Sequence, residues 1–229
     1  MYALVACGCY TPSPVEGLEC SETDRCPDGQ SCDPAFHQCV AFPRCATPPI
    51  TDAFDGPGDP CLAWGRQFGN AMVEQRGGAV FITPNTGGDN SGGCESIRSI
   101  PFVDGGIFIE VPGVMATGHG FLVFSARGVA SPTIRFEDNQ LSLTWIDGTV
   151  TSRPYDPVAM RWWRLRPEHG GATVIGEYAA DGYHWTRLGA VPDAPEQEIH
   201  IEFEAGVSRV DANPGTAQLA HLDLCPPRS

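Results

Sequence analysis

The chain has no lysine. All 14 of its basic residues are arginine, set against 28 aspartates and glutamates, and the formal charge is -14 over 229 residues. The missing lysine reads as the codon bias of a GC-rich genome and carries no functional meaning. The acidic excess does, because a surface of that sign repels phosphate backbones and makes nucleic acid a poor partner. There is no run of 18 or more apolar residues, so no helical membrane span is expected, and no window of 11 residues shows helical periodicity. The serine-nucleophile elbow G-x-S-x-G and the zinc motif H-E-x-x-H are missing as well. Six histidines, His37, His119, His169, His184, His200 and His221, are scattered with no close pair, so they read as surface or capping residues and no metal site is expected of them.

What the chain does have is cysteine. Ten are present: Cys7, Cys9, Cys20, Cys26, Cys32, Cys39, Cys45, Cys61, Cys94 and Cys225. None forms the C-x-x-C pair of a structural zinc site, so a disulfide framework in an oxidising compartment is the better reading. Leu4-Val5-Ala6-Cys7 matches a bacterial lipobox, at which the chain is cleaved and acylated on cysteine, here Cys7. Only three residues precede it, where a charged segment and an apolar segment of about 7 to 15 residues should stand. Either the start is placed too late or the match is accidental; export, which the cysteines demand independently, favours the first. The expected organisation is residues 1–9 as the remnant of a lipoprotein signal, 10–45 as a cysteine-rich module and 46–229 as one larger domain.

The module has little from which to build a core, and a segment so short is held by crosslinks or not at all. Cys20, Cys26, Cys32 and Cys39 allow three pairings. The interleaved one, Cys20 with Cys32 and Cys26 with Cys39, is expected, with Pro27-Asp28-Gly29 as a turn. The run Cys26-Pro27-Asp28-Gly29-Gln30-Ser31-Cys32 resembles the C-P-x-G-x-x-C repeats that follow the lipobox in surface lipoproteins of myxobacteria, a resemblance that implies a spacer.

Beyond the proline-bearing linker 41–49 the texture becomes short alternating segments punctuated by glycine, proline and aspartate, the signature of strands. Strands are expected at 79–83, 96–102, 107–111, 121–126, 133–137, 141–145, 160–166, 173–178, 185–190, 198–204 and 217–224. In one of them Ile199, Ile201 and Phe203 alternate with His200, Glu202 and Glu204, which puts one side in the core and the other in water. Asp138-Asn139, Asp147-Gly148 and Asp181-Gly182 carry residues that tight hairpins need. The fold class expected is all-β: an antiparallel β-sandwich.

Arg161-Trp162-Trp163-Arg164-Leu165-Arg166, followed by Val174 to Leu188 with Asp181-Gly182-Tyr183-His184-Trp185 at its centre, resembles the S-x-D-G-x-x-W block of concanavalin A-like lectin and glucanase domains, which are jelly rolls. Ala179 stands where that pattern has serine. Thr51-Asp52-Ala53-Phe54-Asp55 resembles the first strand of that fold, and Leu219 to Leu224 the last, its neighbour. The resemblance implies that Cys45 and Cys225 lie at the same end of the sandwich and bridge, leaving Cys61 for Cys94. Closing so long a loop contributes about 4 to 5 kcal/mol in the chain-entropy model.

The glycosidases of that fold carry E-x-D-x-x-E on one strand, and no such spacing occurs here. Glu198, Glu202 and Glu204 share a strand face but alternate with core residues as a solvated face does. Asp89-Asn90, and Asp104-Gly105-Gly106, are oxygen-rich loops in which calcium is conceivable and turn formation the commoner use. No other cofactor is expected. Sugar sites commonly stack an aromatic ring on a pyranose, which makes Trp162, Trp163 and Tyr183 the candidate ligand residues. Adjacent in a strand, Trp162 and Trp163 must face opposite ways, one of them into the core. The functional expectation is an exported cell-surface lipoprotein, in the outer membrane or secreted, whose lectin-like sandwich binds a glycan or another extracellular partner such as a surface protein without catalysis. A structural or adhesive envelope protein and a divergent glycosidase are the alternatives.

Overall fold

The computed structural model describes residues 18, 20, 26, 31–33, 38–40, 51–56, 58–62, 64–87, 90–102, 106–115, 119–128, 131–145, 148–168, 173–182, 184–192 and 198–223. Among them are eighteen strands and no helix. In chain order the strands are β1 (Ser31–Asp33), β2 (Gln38–Val40), β3 (Thr51–Asp52), β4 (Gly65–Gly69), β5 (Met72–Arg76), β6 (Ala79–Thr83), β7 (Asn90–Ser96), β8 (Ile100–Pro101) and β9 (Ile107–Gly113). There follow β10 (Gly120–Arg127), β11 (Thr133–Glu137), β12 (Gln140–Trp145), β13 (Gly148–Pro154), β14 (Trp162–Pro167), β15 (Thr173–Ala179), β16 (Thr186–Pro192), β17 (Glu198–Val207) and β18 (Ala217–Asp223).

Apart from the small β1-β2 ladder, the strands form two antiparallel sheets of eight. In sheet 1 the order is β13-β12-β11-β10-β17-β7-β4, with β8 also paired to β17; in sheet 2 it is β16-β15-β14-β9-β18-β6-β5, with β3 paired to β18. This is the expected sandwich. β3 lies against β18 through Asp52–Leu222 and Thr51–Asp223 pairs, so the first and last strands are neighbours as the resemblance implied. One end of sheet 1, from β10 out to the edge strand β13, is a four-strand meander, and its β11-β12 turn is made by Asp138 and Asn139, both at positive φ (52° and 57°), the conformation that twists a two-residue hairpin correctly.

Inward residues from the two sheets interdigitate to form the core: Ile107, Ile109, Trp163, Leu165 and Leu219 from sheet 2 meet Leu122, Phe124, Ile134, Phe136, Leu141, Leu143 and Phe203 from sheet 1. Each fully buried side chain of this size contributes about 1.5 to 3 kcal/mol of apolar transfer. Two disulfides are in place, Cys26–Cys39 and Cys61–Cys94, as expected. Cys20 is also disulfide-bonded; the side chain of Cys32, and Cys45 and Cys225, lie outside the described residues.

To the sandwich the structure adds three strands that were not expected, β4, β5 and β13, and it redraws one that was. The segment 96–102 is not one strand: β7 ends at Ser96 and the two-residue β8 follows. The glycine-rich run Asn90-Ser91-Gly92-Gly93-Cys94-Glu95-Ser96, part of which reads locally as a loop, is strand β7 itself. It pairs on both sides, with β4 and with β17, and its glycines let those neighbours approach. A Cβ on Gly93 would fall 1.9 Å from the Phe203 carbonyl oxygen.

Candidate functional site

The alternation in β17 decides which side chains leave the core. Ile199, Ile201, Phe203, Ala205 and Val207 are buried inward, and His200, Glu202 and Glu204 therefore stand on the outer face of sheet 1. Directly opposed residues of antiparallel strands share a face, and the register lines up transverse rows. One row runs Arg66, Glu95, Glu202, Ser125 and Thr133 across β4, β7, β17, β10 and β11. The next runs Phe68, Gly93, Glu204, Val123 and Arg135. Arg127 faces His200 one row to the other side.

These charges are tied together. Arg66 Nη2 lies 2.6 Å from Glu95 Oε1. Arg127 Nη1 lies 2.5 Å from Glu202 Oε2 and 3.6 Å from Glu95 Oε2, so one guanidinium holds two carboxylates on adjacent strands. Burial pushes the Glu202 carboxyl above its ordinary range; Arg127 opposes that shift, and Glu204 and Glu95 add to it. His200 Nδ1 is 3.0 Å from the Ser96 carbonyl oxygen. A carbonyl only accepts, so Nδ1 is the donor in this bond.

Above this network opens a pocket of about 440 Å³ lined by Arg66, Glu95, Ser96, Ile97, Arg127, Gly128 and His200, within the size range of small-ligand sites. Its wall is braced from below, because Cys94, the inward neighbour of Glu95, is crosslinked to Cys61. Ile97, 64% exposed, offers an apolar surface beside the polar groups. Further along the same face the Arg135 guanidinium lies over the Phe121 ring, 4.6 Å from its centroid, and bonds Glu137 at 3.0 Å. The arrangement gathers guanidinium donors, a carboxylate, an imidazole and an apolar edge around one pocket, groups able to meet vicinal hydroxyls. The Arg127 guanidinium bridges the Glu95 and Glu202 carboxylates.

Of the predicted aromatic residues, Trp162 and Trp163 lie on β14 of sheet 2. Trp163 is the inward one, fully buried, its indole N–H donating to the Met160 carbonyl at 2.9 Å. Trp162 faces outward but keeps only 7% of its surface, packed with Phe108, Ala179 and Trp185. His221 stacks on it at 6.1 Å and 21°, and Gly182, at φ +77°, approaches so closely that a Cβ there would come 3.1 Å from the ring. Tyr183 and Cys7 lie outside the described residues.

Beside Trp162 are two buried arginines, Arg164 and Arg166, bonded to buried Glu177 at 2.6 and 3.1 Å. Burial pushes the Glu177 carboxyl up, but the two guanidiniums outweigh it and hold the group below its ordinary range. In the first oxygen-rich loop the Asn90 amide donates to the Asn85 and Gly87 carbonyls while its oxygen accepts from Asn85 N–H; these are turn-forming bonds. Asp89, Asp104 and Gly105 lie outside the described residues. Cys20, Cys26 and Cys39 bring their sulfurs close together, but all three are oxidised.

Arg66, Glu95 and Arg127 were not legible as site residues. For Arg127 the signal existed: Phe121, Val123, Ser125 and Arg127 form the outward half of an alternating strand.

No protein-family model matches the chain, and no curated protein does. Solved structures do match. A native glycosidic hydrolase is 11% identical, with 81% of this chain and 99% of that one covered and a TM-score of 0.55. A prokaryotic beta-1,3-1,4-glucanase (lichenase) derived from a mouse hindgut metagenome is 10% identical, with 78% and 99% covered and a TM-score of 0.52. Arcelin-5, a lectin-like defence protein from Phaseolus vulgaris, is 7% identical, with 76% and 96% covered and a TM-score of 0.52. At these identities the likeness shows the fold, the concanavalin A-like jelly roll.

Proposed function

We propose that the protein binds a glycan without cleaving it, on the outer face of sheet 1. The observation that carries this reading is the pocket whose rim is Arg66, Glu95, Arg127 and His200, a set of planar hydrogen-bonding groups positioned by strands and braced by a disulfide. Sugar hydroxyls both donate and accept, and such a set answers both. The fold is shared with lectin-like and glycosidic proteins, and β10, the meander strand paired to β17, points Phe121, Val123, Ser125 and Arg127 outward with no carboxylate among them. Export belongs to the same proposal, since two disulfides suit an oxidising compartment. So does a lipid anchor on Cys7, which palmitate labelling lost in Cys7→Ser would test.

The test of function is a glycan array probed with oxidised protein, with and without calcium. Selective binding that Arg127→Ala removes supports the proposal. No binding under either condition overturns it in favour of a structural or adhesive envelope role, and release of reducing sugar from a bound oligosaccharide, abolished by Glu95→Gln, overturns its non-catalytic part.

A further inference from the structure

Among the described residues on the outer face of sheet 1, Glu204 is a charge without an ion pair. In the rows that cross β7, β17, β10 and β11, Glu95 is paired with Arg66 and Arg127, Glu202 with Arg127, and Glu137 with Arg135. Glu204 has no ion pair or hydrogen bond among the described residues, although it is half-buried. Its row neighbour on β7 is Gly93, where the β17 backbone leaves no room for a side chain, and beyond that strip stands the half-buried ring of Phe68. On the other side the Phe121 ring reaches over Gly206, where an added Cβ would come 2.5 Å from Phe121 Cζ. The carboxylate thus lies one row along from the pocket, with Phe68 and Phe121 on the same face of the sheet. A partly desolvated carboxylate without a partner is costly, and a compact ammonium with three donors answers it. The chain's charge of -14 favours a cation over an anion.

Resting on the glycan-binding reading, we propose that Glu204 receives the protonated amine of an amino sugar, so that the ligand class of this face is a glycan carrying free hexosamine. Titration calorimetry of the intact oxidised protein at slightly acidic pH, where the sugar amine is protonated, would compare three tetrasaccharides: glucosamine, its N-acetylated counterpart and glucose. The free-amine form should bind about three- to tenfold more tightly than the acetylated form, and Glu204→Gln should bring it down to the acetylated level. Equal or tighter binding of the acetylated or the glucose tetramer, or no binding of any of the three, overturns this inference; the glycan reading falls only if the array also shows no binding. Tetralysine binding as tightly as the amino sugar would assign the site to a cationic peptide and overturn the glycan assignment.

Discussion

Arginine–glutamate pairs stand on the outer faces of both sheets, under opposite conditions. On sheet 1 the side chains of Arg66 and Arg127 keep 69% and 52% of their surface; on sheet 2 Arg164 and Arg166 keep 1% and 3%. The chemistry is the same and the consequence is not. A pair whose guanidinium stays in water gains about 0 to 1 kcal/mol and is screened by salt, which leaves that guanidinium available to a ligand. A buried pair has given up its hydration, so breaking it strands a charge and costs about 3 to 5 kcal/mol. One face is built to be read from outside, and the other holds the sheet together.

The largest effect that would break this contrast is at Glu177. Glu177→Gln removes the shared partner of two buried arginines and should lower unfolding stability by about 3 to 5 kcal/mol in urea titration; a loss under 1 kcal/mol would mean that the sheet 2 pairs behave like surface pairs. Next, reducing Cys61–Cys94, or replacing both residues with alanine, should cost about 3 to 4 kcal/mol for a 33-residue separation, and should loosen the pocket wall at Glu95, as hydrogen exchange in β7 would reveal.

The pH dependence sharpens the comparison because the two faces have opposite signs. Glu177 is held below its ordinary value of 4.5, so its stabilisation is present above that value and is lost as pH falls through the folded pKa. Glu202 is raised above 4.5, so its ionisation disfavours the folded state: the relative stability it contributes below 4.5 is lost as pH rises through its folded pKa. Carbon-detected NMR titration of the two carboxyls should therefore place them on opposite sides of 4.5. The smallest expected effect is Arg66→Ala, within about 1 kcal/mol, with weakened glycan binding on the array; a much larger stability loss would show that the sheet 1 network is structural after all.

Much of the sandwich was legible locally. Ile199, Ile201 and Phe203 announced β17 and its two faces, Asp138-Asn139 announced a hairpin, and Thr133–Glu137 and Ala79–Thr83 are strands with the bounds their alternation suggests. Strands β4, β5 and β13 were not legible. Met72–Arg76 and Gly148–Pro154 are edge strands with few buried positions, so burial imposed no apolar period on them. The site was hidden for a different reason. Ser96 and His200 are 104 positions apart, and Glu95 lies in a stretch whose glycines imitate a loop; no local pattern joins such residues until the register of β7 on β17 does.

The two-residue period of an extended backbone is a local property, so the sequence by itself determined that this chain is all-β, which side chains of its central strands leave the core, and that Trp162 and Trp163 part company. Which outward charges meet, and whether they meet in water or out of it, was decided by the tertiary structure. Strand order and register bring Arg127 between Glu95 and Glu202, and the packing over sheet 2 takes Arg164, Arg166 and Glu177 out of solvent. Desolvation depends on everything that surrounds a group, and that is set only when distant segments close over one another.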